Sequence, residues 1–335
     1  MRVQWSGIDL DLLNFFLIVL SFLVCFYYPY ESFILAYSIL GPLHYLTETN
    51  WLKKKEKEYS RWFWVAIVFS LLIVLPKWFI EFGGKNSLVF PKFLSFFDEV
   101  SNVFIFLPFF LSGFLFYGNV NIKKILLFVL LTLSGYFLFT KPFFGTFFGL
   151  LIPTLIHVYL FTIFFMASGT IRNKGRFGVL NLILMFIAPV VIWVLPVSLG
   201  DYSVEPKLKD IFIDTHYHYT NVLFSKFLGL SDGTSFFFYE ELELKMQRFI
   251  SFAYLYHYLN WFSKTNVIYW HKAINKQSAI LIGVSWMVML VLFFQNYRLG
   301  FMVALLFSFI HLLMEFPLNM ANLKFILRSI SGKSK

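Results

Sequence analysis

Apolar runs of about 17 to 25 residues recur from one end of this 335-residue chain to the other, each long enough to cross a bilayer as a helix. Ten can be placed, at about 10–28, 33–51, 62–82, 101–118, 123–140, 143–168, 177–199, 248–268, 277–295 and 300–320. Only 14% of residues are charged against 59% hydrophobic, and the mean hydropathy is +0.72, more apolar surface than a soluble core of this size covers. The expected fold is therefore all-α: a polytopic transmembrane helical bundle of about ten spans, forming one integral-membrane domain over residues 1–335.

The basic residues test that count independently. Lys53, Lys54, Lys55, Lys57 and Arg61 share one loop. Lys123 with Lys124, then Arg172, Lys174 and Arg176, then Lys264, Lys272 and Lys276, then Lys324, Arg328, Lys333 and Lys335 fall in every second loop. With Arg2, about 18 of the 28 basic residues lie on one side, so the positive-inside rule places both termini in the cytoplasm and the chain in the cytoplasmic membrane. Anionic lipid headgroups account for the net charge of +10, and no nucleic-acid partner is expected. Asp9 and Asp11 stand where a signal peptide would be basic, so the first run reads as a retained span. The single cysteine, Cys25, lies inside that run, which leaves no disulfide framework and no thiolate cluster.

Two stretches depart from the hairpin pattern. Residues 83–100, with Gly83, Gly84, Pro91, Asp98 and Glu99, read as an external loop or a short interfacial helix. Residues 200–247 form the largest extracytoplasmic segment, with an amphipathic surface helix expected around Phe236 to Arg248. His44-Tyr45-Leu46 with Asn50-Trp51 is echoed by His257-Tyr258-Leu259-Asn260-Trp261, an echo that similar local demands explain better than an internal repeat.

Four of the seven histidines, His44, His157, His257 and His311, sit inside spans that run in the same direction. Counted from the next cytoplasmic basic residue at about 1.5 Å per helical residue, their depths are roughly 10 to 22 Å, so four imidazoles can share one layer. His44 and His311 each have a carboxylate at i+4, Glu48 and Glu315, on the same helical face. Ionisable groups inside a bilayer are costly and face a substrate, an ion or one another. A metal ion accounts for the set, because neutral imidazole is a common ligand whose second nitrogen needs an acceptor. Histidines without thiolate suit iron, zinc, copper or nickel, and an oxidative role in a membrane favours Fe2+. The same residues also fit a proton path, or interhelical hydrogen bonds alone. Asn50, Asn260 and Asn319 read as helix bridges.

Outside the spans, His216-Tyr217-His218 would put two imidazoles on one face of a strand, though the sequence offers no third ligand beyond Asp210 and Asp214, and an aromatic interfacial loop is the simpler reading. His271, beside Trp270 and Lys272, reads as a boundary anchor. No HExxH, GxSxG, nucleotide-binding glycine loop or aspartate-rich pair occurs.

At Gly41-Pro42-Leu43-His44-Tyr45-Leu46-Thr47-Glu48 the chain resembles the Brp/Blh family of membrane β-carotene 15,15'-dioxygenases, in which an early helix carries a proline–histidine–glycine motif followed by an acid. Pro42, His44 and Glu48 hold comparable places, with Leu43 inserted and no glycine after the histidine, and the family's pair of histidines four apart on a late helix is missing. The resemblance implies a polytopic fold and non-haem iron held by histidines from several spans, here His44, His157, His257 and His311. The expected function is oxidation of a hydrophobic, lipid-phase substrate such as a carotenoid or polyene, with Glu48 and Glu315 supporting or joining the ligand set. A proton-coupled transporter and a lipid-modifying transferase are the alternatives.

Overall fold

Proline and asparagine set many of the helix starts. Pro29, Pro142 and Pro206 occupy first turns, where a missing N–H costs nothing, and Asn121, Asn275 and Asn296 accept side-chain bonds from Lys124, Ser278 and Leu299 N–H groups. The computed structural model describes residues 7–82, 96–116, 121–197 and 202–332, and within them every regular element is a helix. Arg2, Lys333, Lys335 and most of the 83–100 segment lie outside the described residues.

In chain order the helices are α1 (Gly7–Tyr27), α2 (residues 29–55), α3 (Lys57–Phe82), α4 (Val103–Phe116), α5 (Ile122–Leu138), α6 (Pro142–Asn173) and α7 (Arg176–Val194). They are followed by α8 (Pro206–Asp214), α9 (His218–Phe227), α10 (Glu241–Ser263), α11 (Lys276–Gln295) and α12 (Tyr297–Ile330). Among the described residues α1, α3, α6, α7, α11 and α12 are long and apolar enough to cross a membrane, which makes this a multi-pass membrane protein. The four remaining expected spans are also helical, but they fall short for physical reasons. The 14 residues of α4 reach only about 21 Å and the 17 of α5 about 26 Å against a hydrocarbon core of about 30 Å, α2 ends in three lysines, and α10 opens with Glu241, Glu243, Lys245 and Arg248.

Outer faces carry the apolar surface that water would not tolerate. Ile122, Leu126, Leu130, Leu133 and Phe137 project from α5, and Leu281, Val284, Val288, Val291 and Phe294 from α11. Inside, α12 packs against α2, α3, α4, the end of α6 and α11, while α10 packs against α1, α2, α6 and α7. Trp62 Nε1 donates to Leu313 O at 2.7 Å, locking α3 to α12.

Contacts sort the two ends of the bundle. Lys54 Nζ donates to Ala273 O and Ser278 Oγ, and the Arg172 guanidinium sits over Phe325, so basic loops distant in sequence gather at one end. At the opposite end Lys77 pairs with Asp98, and Arg298 pairs with Glu81. Helices α2, α6, α10 and α12 all run toward the basic end.

Residues 202–240 fold as a cap on that opposite end. Phe212 and Tyr217 bury their rings against Tyr30 and Phe33 of α2, with centroids 5.1 and 4.8 Å apart. The surface helix expected around Phe236 to Arg248 is replaced by a different arrangement. Helix begins only at Glu241, and the first turns of α10 are buried, Leu244 among Phe212 and Tyr217 of the cap, Gln247 against Pro29 O of α2 and Arg248 over the Phe26 ring of α1.

Candidate metal centre

Two widened turns position two of the four histidines. Ala36–Leu40 is π-helical and ends just before Gly41-Pro42, and Gly145–Phe161 is π-helical around Pro153. A proline ring clashes with the carbonyl four residues earlier, here Ser38 and Gly149, and opening the turn relieves that clash. The widened turns shift the helical register at His44 in one helix and at His157 in the other.

The four imidazoles converge in the interior, His44 from α2, His157 from α6, His257 from α10 and His311 from α12. All are buried, none more than 6% exposed. His44 Nε2 lies 3.0 Å from His257 Nε2, and His311 Nε2 lies 3.2 Å from His157 Nε2. Ring centroids of neighbouring pairs are 4.6 to 5.0 Å apart, and His257 and His311 are 6.5 Å apart across the group. Donor atoms fall into two sets that share His311, His44/His257/His311 and His157/His311/Glu315, each mutually within 4.8 Å. The four rings thus form a four-sided array whose closest donor atoms group as two overlapping triads.

Both carboxylates are part of it. Glu48 Oε2 is 3.5 Å from His44 Nε2 and 3.9 Å from His311 Nδ1. Glu315 Oε2 is 3.1 Å from His157 Nδ1 without forming an aligned hydrogen bond, and it accepts from Asn319 Nδ2 at 3.2 Å. The carboxyl groups of Glu48 and Glu315 also contact each other. Thr162 Oγ1 lies 2.8 Å from His257 Nδ1 and itself donates to Val158 O, so it can act as an acceptor for that ring nitrogen. Nδ1 of His44 and His311 and Glu48 Oε2 have no hydrogen-bond partner although buried.

Several contributors escaped the sequence reading. Tyr45 and Tyr258 join hydroxyls at 2.6 Å beside the cluster, and the Tyr45 ring stacks on His311. Lys264 looked like a loop cation but is buried over the Phe165 ring, its Nζ without a hydrogen-bond partner and its charge within electrostatic reach of Glu48 and Glu315. Asn319 bonds Glu315 rather than a neighbouring helix, while Asn50 bridges to Ala273 O as expected. The HYL echo was the available signal for the tyrosines.

The other histidines stay apart. His216 sits in a left-handed turn with φ 59° and His218 begins α9, so the strand reading of that pair fails. Burial lowers the His218 pKa from the ordinary imidazole value. His271 Nδ1 contacts Thr265 O in a short turn at the basic end.

Two spaces flank the cluster. A void of about 30 Å3, bounded by His44, Glu48, His257, Asn260, Lys264 and Glu315, has room for about one or two water-sized ligands. A cavity of about 740 Å3 reaches His157 from the other side. Buried imidazoles with orphaned nitrogens, two carboxylates and adjoining space make a site that could hold a metal ion. Comparison of the chain with protein-family models, curated proteins and solved structures finds no match.

Proposed function

We propose that the protein is an enzyme of the cytoplasmic membrane in which a histidine-ligated non-haem iron centre oxidises a hydrophobic, lipid-phase substrate such as a carotenoid or another polyene. One observation carries this reading: two imidazole pairs meet Nε2 to Nε2 at 3.0 and 3.2 Å in a buried cluster. Nitrogens about 2.0–2.1 Å from one ion stand about 2.9 Å apart at a right angle and about 3.4 Å apart in a tetrahedron, and both observed distances lie between those limits. The orphaned Glu48 Oε2 fits as well, since an unsatisfied buried polar group costs about 1–3 kcal/mol and a cation offsets that cost for an acceptor.

Bound iron would supply redox chemistry toward dioxygen, and no thiolate competes for it. The chain's own groups divide the remaining work. The histidines hold the ion, Thr162 fixes the orientation of His257, Asn319 holds Glu315, and Lys264 balances carboxylate charge in the small void. The gathering of basic loops at one end supports cytoplasmic termini and ten crossings, with α2, α4, α5 and α10 crossing inside or beside the six apolar helices.

Elemental analysis after mild detergent purification and anaerobic reconstitution tests the reading. Near one equivalent of a first-row metal is expected if the triads share an ion, and near two if each holds its own. Less than a tenth of an equivalent overturns it. A second reading, a proton-coupled carrier, draws on the spaces lying on both sides of the cluster, and glutamine variants of the two carboxylates separate the two readings.

A further inference from the structure

The large cavity meets the cluster from one side only. It touches His157 and the Tyr45–Tyr258 pair, whereas His44, His257, Glu48 and Glu315 face the small void. An organic molecule therefore has one approach, and about 740 Å3 lies within the roughly 300–1,000 Å3 typical of small-molecule sites. The widened α6 turn forms part of its wall, where Gly145 and Gly149 seat the Asn102 side chain.

Its polarity is graded along its length. Near the cluster the wall is mainly Val158, Phe309 and Leu312, with the hydroxyls of Thr154 and Ser308. The rim, beneath the cap and at the end away from the basic loops, carries Lys77, Glu81, Asp98, His216 and Lys226. Three of these charges are already cancelled, Lys77 and Asp98 by each other at 2.8 Å and Glu81 by Arg298. Lys226 makes no ion pair within 4 Å among the described residues, and the one carboxylate within its electrostatic reach there is the fully exposed Asp232, so it is the cation at the mouth most open to a ligand's anionic group.

A wholly apolar hydrocarbon gains nothing from that cation, and a small polar anion gains nothing from the deep wall. We propose that the chamber binds a single-chain amphiphile with a carboxylate head, the head at Lys226 and the tail extending toward His157 and the tyrosine pair. As a substrate site the chamber rests on the metal-centre reading; as a binding site it does not.

The protein in phosphatidylcholine nanodiscs is titrated with a fluorescent long-chain polyene carboxylic acid, with its methyl ester, and with a polyene hydrocarbon of similar length, and metal is measured on the same samples. The acid is expected to saturate, with the ester and the hydrocarbon each about tenfold weaker. Lys226→Ala should weaken the acid about tenfold and leave the ester and the metal content unchanged. Thr154→Phe, which adds a ring in the deep half, should weaken acid and ester alike, and Thr146→Trp makes the same test nearer the mouth should the first variant not fold. Equal binding of acid and hydrocarbon, or acid binding indifferent to Lys226→Ala and to whichever blocking variants fold, overturns the proposal. Stoichiometric metal without acid binding removes the chamber and leaves the metal centre. Saturable acid binding in metal-free protein supports the chamber and removes the metal centre.

Discussion

His44 Nε2 lies 3.0 Å from His257 Nε2, and one residue further along each helix Tyr45 and Tyr258 join hydroxyls at 2.6 Å. The two HYL segments thus face each other across α2 and α10, which run in the same direction, and Trp51 and Trp261 extend the pairing with ring centroids 5.7 Å apart. Gly41 makes the tyrosine contact possible, because a Cβ there would meet both hydroxyls at 3.0 and 3.1 Å. Similar residues recur because each helix presents the same face to the same interface. A shared ancestry of the two halves is not needed.

That pairing predicts an asymmetry between two conservative variants. Ser308 and Tyr37 also neighbour the Tyr45 hydroxyl, so Tyr258→Phe leaves Tyr45 with other partners. Tyr45→Phe strands the buried Tyr258 hydroxyl and should cost about 1–3 kcal/mol, measured by denaturant unfolding in mixed micelles, with Tyr258→Phe nearer the lower limit. The double variant should cost less than the sum of the singles by about 0.5 kcal/mol or more. Strict additivity would show that the hydroxyls do not interact.

Replacing His44, His157, His257 or His311 with Ala should each remove most bound metal. Because His311 belongs to both triads, its loss should be the most severe. His216→Ala and His271→Ala should stay within measurement error of the parent protein, since neither imidazole approaches the cluster. Elemental analysis of all six variants checks this, and metal lost with His216 but retained without His44 would relocate the site to the cap.

Much of this arrangement was readable from apolar run length, because a bilayer imposes a helix and a minimum length on any crossing segment. Placing His44, His157, His257 and His311 in one layer needed only spacing from the basic loops. What escaped depended on contacts between distant segments. Whether Lys264 is a loop cation or a buried partner of two glutamates is decided by α1, α6 and α12 closing over it, and whether Arg248 lies on the surface or inside is decided by the Phe26 ring of α1 on which it rests. The widened turns before Pro42 and around Pro153 did have a local signal in the prolines themselves.

Thr162 offers a test of ring orientation that leaves every ligand in place. Thr162→Val keeps the side-chain shape but removes the oxygen 2.8 Å from His257 Nδ1, so metal affinity should fall about tenfold or more. Thr162→Ser restores an oxygen and should recover most of that loss. Competition with a chelator of known affinity reads both variants, and equal affinities for Val and Ser would mean that this oxygen does not orient the ring.

The carboxylates separate enzyme from carrier. Glu48→Gln and Glu315→Gln keep an acceptor but remove the charge, and in a metal centre each should weaken metal binding or activity about 10- to 100-fold while protein level and helicity persist. Glu315→Gln should be the milder in structural terms, because Asn319 can still donate to the amide oxygen, whereas Glu48 lies against His44, His311 and the Glu315 carboxyl with one oxygen unbonded. A proton carrier makes a different demand: glutamine cannot titrate, so pH-dependent flux in proteoliposomes would vanish while bound metal stayed constant. Metal content, oxygen consumption with a polyene substrate and proton flux, measured on both variants side by side, resolve the two. Unchanged metal and oxygen chemistry with abolished flux would sink the oxygenase and leave the carrier, since only a carrier needs these carboxylates to exchange protons rather than to hold charge beside an ion.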